Sequence, residues 1–338
     1  MNDGGKMGPR IIGWGKAVPA RGLTNADMER MVETSNDWIV ERTGIRKRYW
    51  AGPNESASVI GAEAARMAIK RAGISPTDID LIILTTMTPD KTSPATASII
   101  QRKIGAKRAA TFDLWAACPG FVYGLATAYN FIRTGAFRTI LVIGSEILSR
   151  IIDQKDRRVC VLFGDGAGAV VVQASAEAKD DPSNFVLGCD SDHADVLFVR
   201  GPFDVAEEAG PPGEYFTVMQ GPEVFKQAVR VMSKAGQELL GKMNWKLSDV
   251  DVVIPHQANK RILDATGKAL GVPPEKVYCN IDRYGNTSSA TIPIAICDAV
   301  DEGRLKPGDN VMFLAFGAGL TYAAMALRWN PPPASSSA

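Results

Sequence analysis

Three side chains far apart in this 338-residue sequence carry the groups that can react: Cys118 in Trp-Ala-Ala-Cys-Pro-Gly-Phe, His256 in Val-Ile-Pro-His-Gln-Ala-Asn, and Asn286 in Arg-Tyr-Gly-Asn-Thr-Ser-Ser-Ala. A thiol is the nucleophile that forms thioesters. Imidazole and carboxamide N–H groups are donors for the oxyanions that thioester chemistry creates. Together the three point to a thioester enzyme that forms carbon–carbon bonds. Each alone has a plainer reading: Cys118 as a buried structural cysteine, His256 as a satisfied, half-buried histidine, Asn286 as a turn and helix cap.

The elements around them favour the reactive reading. Thr111 to Trp115 ends a strand-like run, and Gly120 to Tyr129 reads as an apolar helix. Cys118 then sits at a strand-to-helix turn, where unpaired backbone N–H groups and the helix dipole favour a thiolate. Ile254 and Pro255 close a strand, and Gln257 to Ala265 opens a helix. His256 therefore projects from a strand end, where α/β proteins gather catalytic groups.

The chain also echoes itself. Asp78–Leu84 resembles Asp249–Pro255, 171 residues on; Ile140–Gly144 resembles Phe313–Gly317, 173 residues on; Phe112-Asp113 resembles Ile281-Asp282, 169 residues on. Helical patterns over Ala62–Arg71 and Val224–Leu240 precede the first pair. Strands alternating with helices imply crossover connections and buried central strands. Two such halves stacked through shared helices make an α/β body of five layers, α-β-α-β-α. We expect a first half over residues 1–178 that carries Cys118, a second over 179–333 that carries His256 and Asn286, and a disordered tail at 334–338. The junction falls in the polar stretch from Ala174 to Gly213.

Bulk composition excludes several classes. Lys plus Arg number 38 against 37 Asp plus Glu, so no global field draws nucleic acid or a membrane surface. Five scattered cysteines (118, 160, 189, 279, 297) with no Cys-x-x-Cys argue for reduced thiols in the cytoplasm rather than disulfides or zinc. No signal-peptide core is evident, and no apolar run reaches the roughly 18 residues a bilayer needs. The Gly164-Asp-Gly-Ala-Gly-Ala string precedes the strand-like Val170-Val-Val, whereas a dinucleotide loop must open a helix. It reads as a structural turn. His193, with no His or Cys near it, reads as a solvated loop residue, and no metal site is expected.

With these residues in hand, the chain resembles β-ketoacyl-acyl-carrier-protein synthase III, one of the thiolase-like condensing enzymes. The strings that carry the resemblance run in order through the chain: Trp38–Arg46, Phe163–Gly168, Pro255–Asn259, Tyr284–Ala290 and Phe316–Thr321. The resemblance implies a duplicated thiolase-like fold with two mixed sheets, and catalytic roles for Cys118, His256 and Asn286. It implies an oxyanion hole from the backbone N–H groups of Cys118 and Ala318. Coenzyme A would lie with its adenine between Trp38 and Arg157, Arg42 nearby, and Asn259 along the pantetheine arm. Phe316 and Ser93 would shape the acyl pocket, Ser93 from the partner subunit of a homodimer. Acidic acyl carrier protein would dock on Lys226, Arg261 and Lys268. Acyl-CoA is a substrate here, so no cofactor is expected. The implied activity is decarboxylative condensation of an acyl-CoA starter with malonyl-acyl carrier protein, which initiates fatty-acid synthesis.

Four positions depart from the family's usual pattern: Pro119 and Trp115 stand where small residues are common, Ala318 where glycine is common, and Ser93 where a bulky side chain is common. Proline at a first helical position is compatible, and only the N–H of Ala318 is needed. These departures keep a second enzyme class open, in which relatives in specialised metabolism condense two acyl chains, form pyrones or transfer an acyl group. A non-catalytic carrier-binding partner is disfavoured because such relatives lose the cysteine. Non-decarboxylating thiolases use a second cysteine in the C-terminal glycine loop, and Gly317-Ala-Gly has none.

Overall fold

A computed structural model describes residues 7–178, 181–201 and 216–333. The first sheet is built from β1 (Gly8–Ala17), β2 (Leu81–Thr85), β3 (Ala110–Leu114), β4 (Thr139–Glu146) and β5 (Gly166–Ser175), in the order β1-β5-β4-β2-β3. Strands β2, β3 and β4 are parallel to one another, while β5 runs antiparallel to β4 and β1. The second sheet holds β6 (Phe185–Cys189), β7 (Val252–Pro255), β8 (Asn310–Phe316) and β9 (Thr321–Arg328), in the order β7-β8-β9-β6. Here β7 and β8 are parallel, and β9 is antiparallel to both its neighbours.

The two orders match strand for strand, β6-β9-β8-β7 repeating β1-β5-β4-β2. The counterpart of β3 is reduced to an isolated parallel bridge between Val253 and Val277. This corrects the third sequence echo. Phe112-Asp113 lies in β3, whereas Ile281-Asp282 opens a short helix, Ile281–Tyr284, just beyond the bridge. A two-residue apolar-acidic match was too short to fix the alignment.

Period-two burial explains the layers. In β2 every residue is buried, with Leu81 and Ile83 facing one core and Ile82 and Leu84 the other. In β8, Val311 and Phe313 face the shared core while Met312 and Leu314 face outward. The shared core holds α4 (Gly120–Arg133) and α7 (Thr291–Asp301) between the sheets. Outside the first sheet lie α2 (Ala57–Ala72) and α3 (Thr96–Ile104); outside the second lie α5 (Gly221–Met243) and α6 (Lys260–Leu270). The remaining long helix near the site is α1 (Asn36–Thr43).

The halves meet closely behind the site. A Cβ on Gly144 of β4 would lie 2.5 Å from the carbonyl oxygen of Ser289, so only glycine lets the turn before α7 seat there. Residues 179, 180 and 202–215 of the expected junction, and the expected disordered tail at 334–338, lie outside the described residues. Asp165 of the glycine-rich string accepts the N–H groups of Ala51 and Ser149 and the Ser149 hydroxyl, and the string runs into β5. It is a structural turn. The expected helix after His256 starts later than its apolar pattern suggested, at Lys260, because the Asn259 carboxamide oxygen caps the Arg261 N–H at 2.9 Å.

Candidate active site

Cys118 is set by a strained turn. After β3 the chain passes through Ala117 at φ +50°, left-handed backbone that a non-glycine residue adopts at a cost of roughly 1 kcal/mol or more. Pro119, at φ −74°, caps α4 one residue before its first helical position. The expected resting thiolate is not what this setting produces. Burial pushes the Cys118 thiol up to about 12; the neighbouring Ser288 hydroxyl pulls it down somewhat, and the Glu146 carboxylate pushes it up. Desolvation is the largest of these influences, so the resting thiol keeps its proton.

His256 follows the end of β7, its backbone N–H donating to Leu314 at 2.7 Å. The ring is buried, packs edge-on against Phe316 with centroids 5.8 Å apart, and pairs Nδ1 with Thr291 Oγ1 at 2.7 Å. Burial pushes its pKa down to about 3, so the imidazole is neutral at rest.

Asn286 reaches the same place from the turn that follows the Ile281–Tyr284 helix. Its backbone forms a parallel bridge with Phe163, and its side-chain oxygen accepts the Ser288 N–H at 2.8 Å. An N–H can pair only with the oxygen end of a carboxamide, so the flip state is fixed and the NH2 end is left for a ligand. Ser288 itself sits at φ +51°, a second left-handed non-glycine residue beside the thiol. The turn is anchored by Glu146, which is fully buried at the end of β4. Its carboxylate accepts Met87 N–H at 2.9 Å and the hydroxyls of Thr86, Thr88 and Ser289 at 2.8–3.2 Å. Burial raises its pKa against these hydrogen bonds. Sequence reasoning missed Glu146, because nothing in Ser145-Glu-Ile marks it as buried.

Cys118, His256, Asn286, Ser288, Phe316 and Ala318 all line one cavity of about 550 Å³. It opens past Ala258 and Ile262 to Trp38, Arg42, Asn259 and Arg261. Leu197 to Val199, paired antiparallel with Thr217 to Met219, form one wall. The Gly317 loop presses on the nucleophile, so that a Cβ at Gly317 would lie 2.7 Å from the Cys118 nitrogen.

The outer residues sort less uniformly. Trp38 and Arg42 lie one turn apart on α1, and the guanidinium carbons of Arg42 and Arg157 lie 5.7 and 5.4 Å from the Trp38 ring centroid. Arg157 also donates to the Glu33 carbonyl. Its neighbour Arg158, which sequence reasoning passed over, lines the cavity instead. Asn259 lines the cavity while capping α6 and donating to the Arg42 carbonyl. Lys226, Arg261 and Lys268 are exposed on α5 and α6 around the mouth side, with Lys226 close to Glu223. Ser93 is exposed and lies off its own chain's cavity. Trp115, close to Cys118 in sequence, turns away to the surface and is 67% exposed. His193 is less solvated than expected, with Nε2 2.9 Å from the Gln227 amide; no metal-ligating cluster occurs among the described residues.

Comparison with known proteins fits this geometry. Two family descriptions match: 3-oxoacyl-[acyl-carrier-protein] synthase III over residues 112–191, and its C-terminal counterpart over 240–329. The β-ketoacyl-[acyl-carrier-protein] synthase III of Symbiobacterium thermophilum is 49% identical over 322 residues, covering 94% of this chain and 97% of that protein. The crystal structure of 3-oxoacyl-[acyl-carrier-protein] synthase III from Aquifex aeolicus is 44% identical, with a TM-score of 0.88, covering 95% and 100% of the two chains. The priming β-ketosynthase of the R1128 polyketide pathway is 36% identical, with a TM-score of 0.91, covering 98% and 99%. The fold is thus the thiolase-like α/β fold with two mixed sheets, and the chain belongs to the β-ketoacyl-acyl-carrier-protein synthase III family.

Proposed function

We infer that this protein is an acyltransferase that initiates fatty-acid synthesis, condensing an acyl-CoA starter with malonyl-acyl carrier protein through an acyl-Cys118 thioester. The observation that carries the reading is the convergence of Cys118, His256 and Asn286 on one cavity that runs out to an aromatic and arginine-lined mouth.

In the first half-reaction the Cys118 sulfur attacks the acyl carbonyl. The thioester bond to CoA breaks, and the thiol proton goes to the departing CoA sulfur. In the second, the bond to the malonyl carboxylate breaks, CO2 leaves, and the electron pair forms an enolate. His256 and Asn286 donate N–H groups to the enolate oxygen, each worth about 3–4 kcal/mol of barrier. The enolate carbon attacks the acyl-Cys118 carbonyl, whose oxyanion is held by the backbone N–H groups of Cys118 and Ala318. The thiolate leaves and takes a proton from solvent, so each turnover consumes one proton. Trp38, with Arg42, Arg157 and Asn259, holds the CoA end. Phe316 borders the acyl pocket; Lys226, Arg261 and Lys268 dock the acidic carrier.

Incubation with labelled acetyl-CoA followed by digestion tests the reading: label is expected on the Cys118 peptide and absent in Cys118→Ser. An unlabelled Cys118 peptide would end it. Likeness to a polyketide priming ketosynthase supports a second reading, starter condensation in specialised metabolism. Product masses across a panel of acyl-CoA and malonyl donors separate the two.

The expected state is a homodimer in the cytoplasm. Among the described residues the edge strand β3 has a neighbour on one side only, and Trp115 stands exposed at its end. Light scattering that gave a monomer mass at micromolar concentration would remove this proposal. In such a dimer the small Ser93 leaves room for longer or branched starters. A Ser93→Phe variant with unaltered preference among acyl-CoA lengths would exclude that role.

A further inference from the structure

His256 is neutral at rest and has one proton to place on two ring nitrogens. Nδ1 faces the Thr291 hydroxyl at 2.7 Å. That hydroxyl also has one proton and two claimants, Nδ1 and the Ser288 carbonyl oxygen 2.9 Å away. If the hydroxyl donates to the carbonyl, Nδ1 must carry the ring proton and Nε2 presents a lone pair. If it donates to Nδ1, the ring proton moves to Nε2. The Ser288 carbonyl already accepts the backbone N–H of Thr291, so turning the hydroxyl away leaves no orphaned acceptor.

The rest of the setting leaves little other freedom. Thr291 is 3% exposed at the first position of α7, and the imidazole is held edge-on by Phe316. Thr291 lies off the cavity wall that His256 lines, so it acts only through the imidazole. A lone pair on the nitrogen that faces an enolate would repel the developing charge; an N–H would hold it.

We propose that Thr291 is a positioning residue for the condensation step: its hydroxyl donates to Nδ1 of His256 and fixes the ring proton on Nε2, where the enolate oxygen needs a donor. The purpose of this arrangement rests on the proposed condensation chemistry, but the tautomer is a property of the resting protein.

Nitrogen NMR of histidine-labelled protein tests it directly, because the chain has two histidines and His193→Gln assigns the spectrum. The expected result is a protonated, pyrrole-type Nε2 and an unprotonated, pyridine-type Nδ1 on His256. In Thr291→Val the proton distributes over both nitrogens, and condensation falls with the lost Nε2–H fraction, from about twofold for an even split toward about 100-fold, the scale of one lost oxyanion donor, for a complete shift. Acyl transfer to Cys118 falls less, and Thr291→Ser restores both tautomer and rate. A wild-type Nδ1–H tautomer, or a Thr291→Val protein unchanged in tautomer and condensation, overturns the proposal. Should Thr291→Val not fold, the wild-type spectrum decides alone. An enzyme that never labels Cys118 would fail in the acyl-transfer assay and leave the tautomer result standing, so the two failures are distinct.

Discussion

Gly317 approaches Cys118 so closely that an added Cβ would sit 2.7 Å from the backbone nitrogen of Cys118 and 2.7 Å from Pro119 Cδ. Its φ of −167° is ordinary extended backbone, so the demand for glycine comes from the contact rather than from conformation. Gly317→Ala is therefore expected to push the 317–319 loop off the nucleophile. Overpacking of this kind costs about 1–3 kcal/mol of stability, and displacing the Ala318 N–H, the proposed oxyanion donor, is expected to lower condensation by about 100-fold. Urea unfolding with a steady-state assay checks both; an unchanged rate would detach the loop from the chemistry.

A thiol held at about 12 by burial behaves differently from one activated at rest. Alkylation of Cys118 by iodoacetamide is expected to rise roughly tenfold per pH unit from pH 7 to 9.5, without a plateau, because the thiolate fraction grows throughout that range. A plateau near neutrality would show that the helix end overrides burial.

His256 gives an acid-side signature. Its folded value of about 3 lies below the unfolded value of about 6.5, so between them the unfolded chain binds the extra proton. Stability from this residue is fully present above the unfolded value and is lost as pH falls toward 3. His256→Gln should flatten the fall in stability over that window by about one proton, read from urea midpoints at successive pH values. An identical slope in both proteins would mean the imidazole is already charged in the fold.

Trp38→Ala should raise KM for acyl-CoA about tenfold with kcat little changed, since the stacking proposed between the Trp38 ring and the CoA adenine is worth roughly 1–1.5 kcal/mol. Arg158→Ala should act in the same direction because Arg158 lines the cavity. A fall in kcat at constant KM would assign these residues to the chemistry instead.

Much of this was legible in the sequence for a physical reason. Cys118, His256 and Asn286 each sit in a turn at the end of an element, and turns carry local signals in their Gly, Pro and Asn content. The duplication was legible where whole buried strands repeat, at β2 with β7 and β4 with β8. It failed at Ile281, where the repeated strand has shrunk to one bridge. What the sequence could not carry was environment. The walls that desolvate Cys118 come from segments remote from it in the chain, so its shift ran opposite to the local reading. Arg157 and Arg158 differ by about 100° of helix rotation, and the four-residue helix Arg157–Cys160 is too short for its apolar pattern to say which of them faces the cavity.

The tight seat of Ser289 against Gly144 gives the inter-sheet gap a role beyond packing. One sheet supplies the sulfur and the other supplies the imidazole, so the thickness of the central layer sets the distance between them. A methyl group at position 144, set against the Ser289 carbonyl rather than the cavity wall, is expected to wedge the proposed nucleophile and donors apart and to lower turnover without touching any of them.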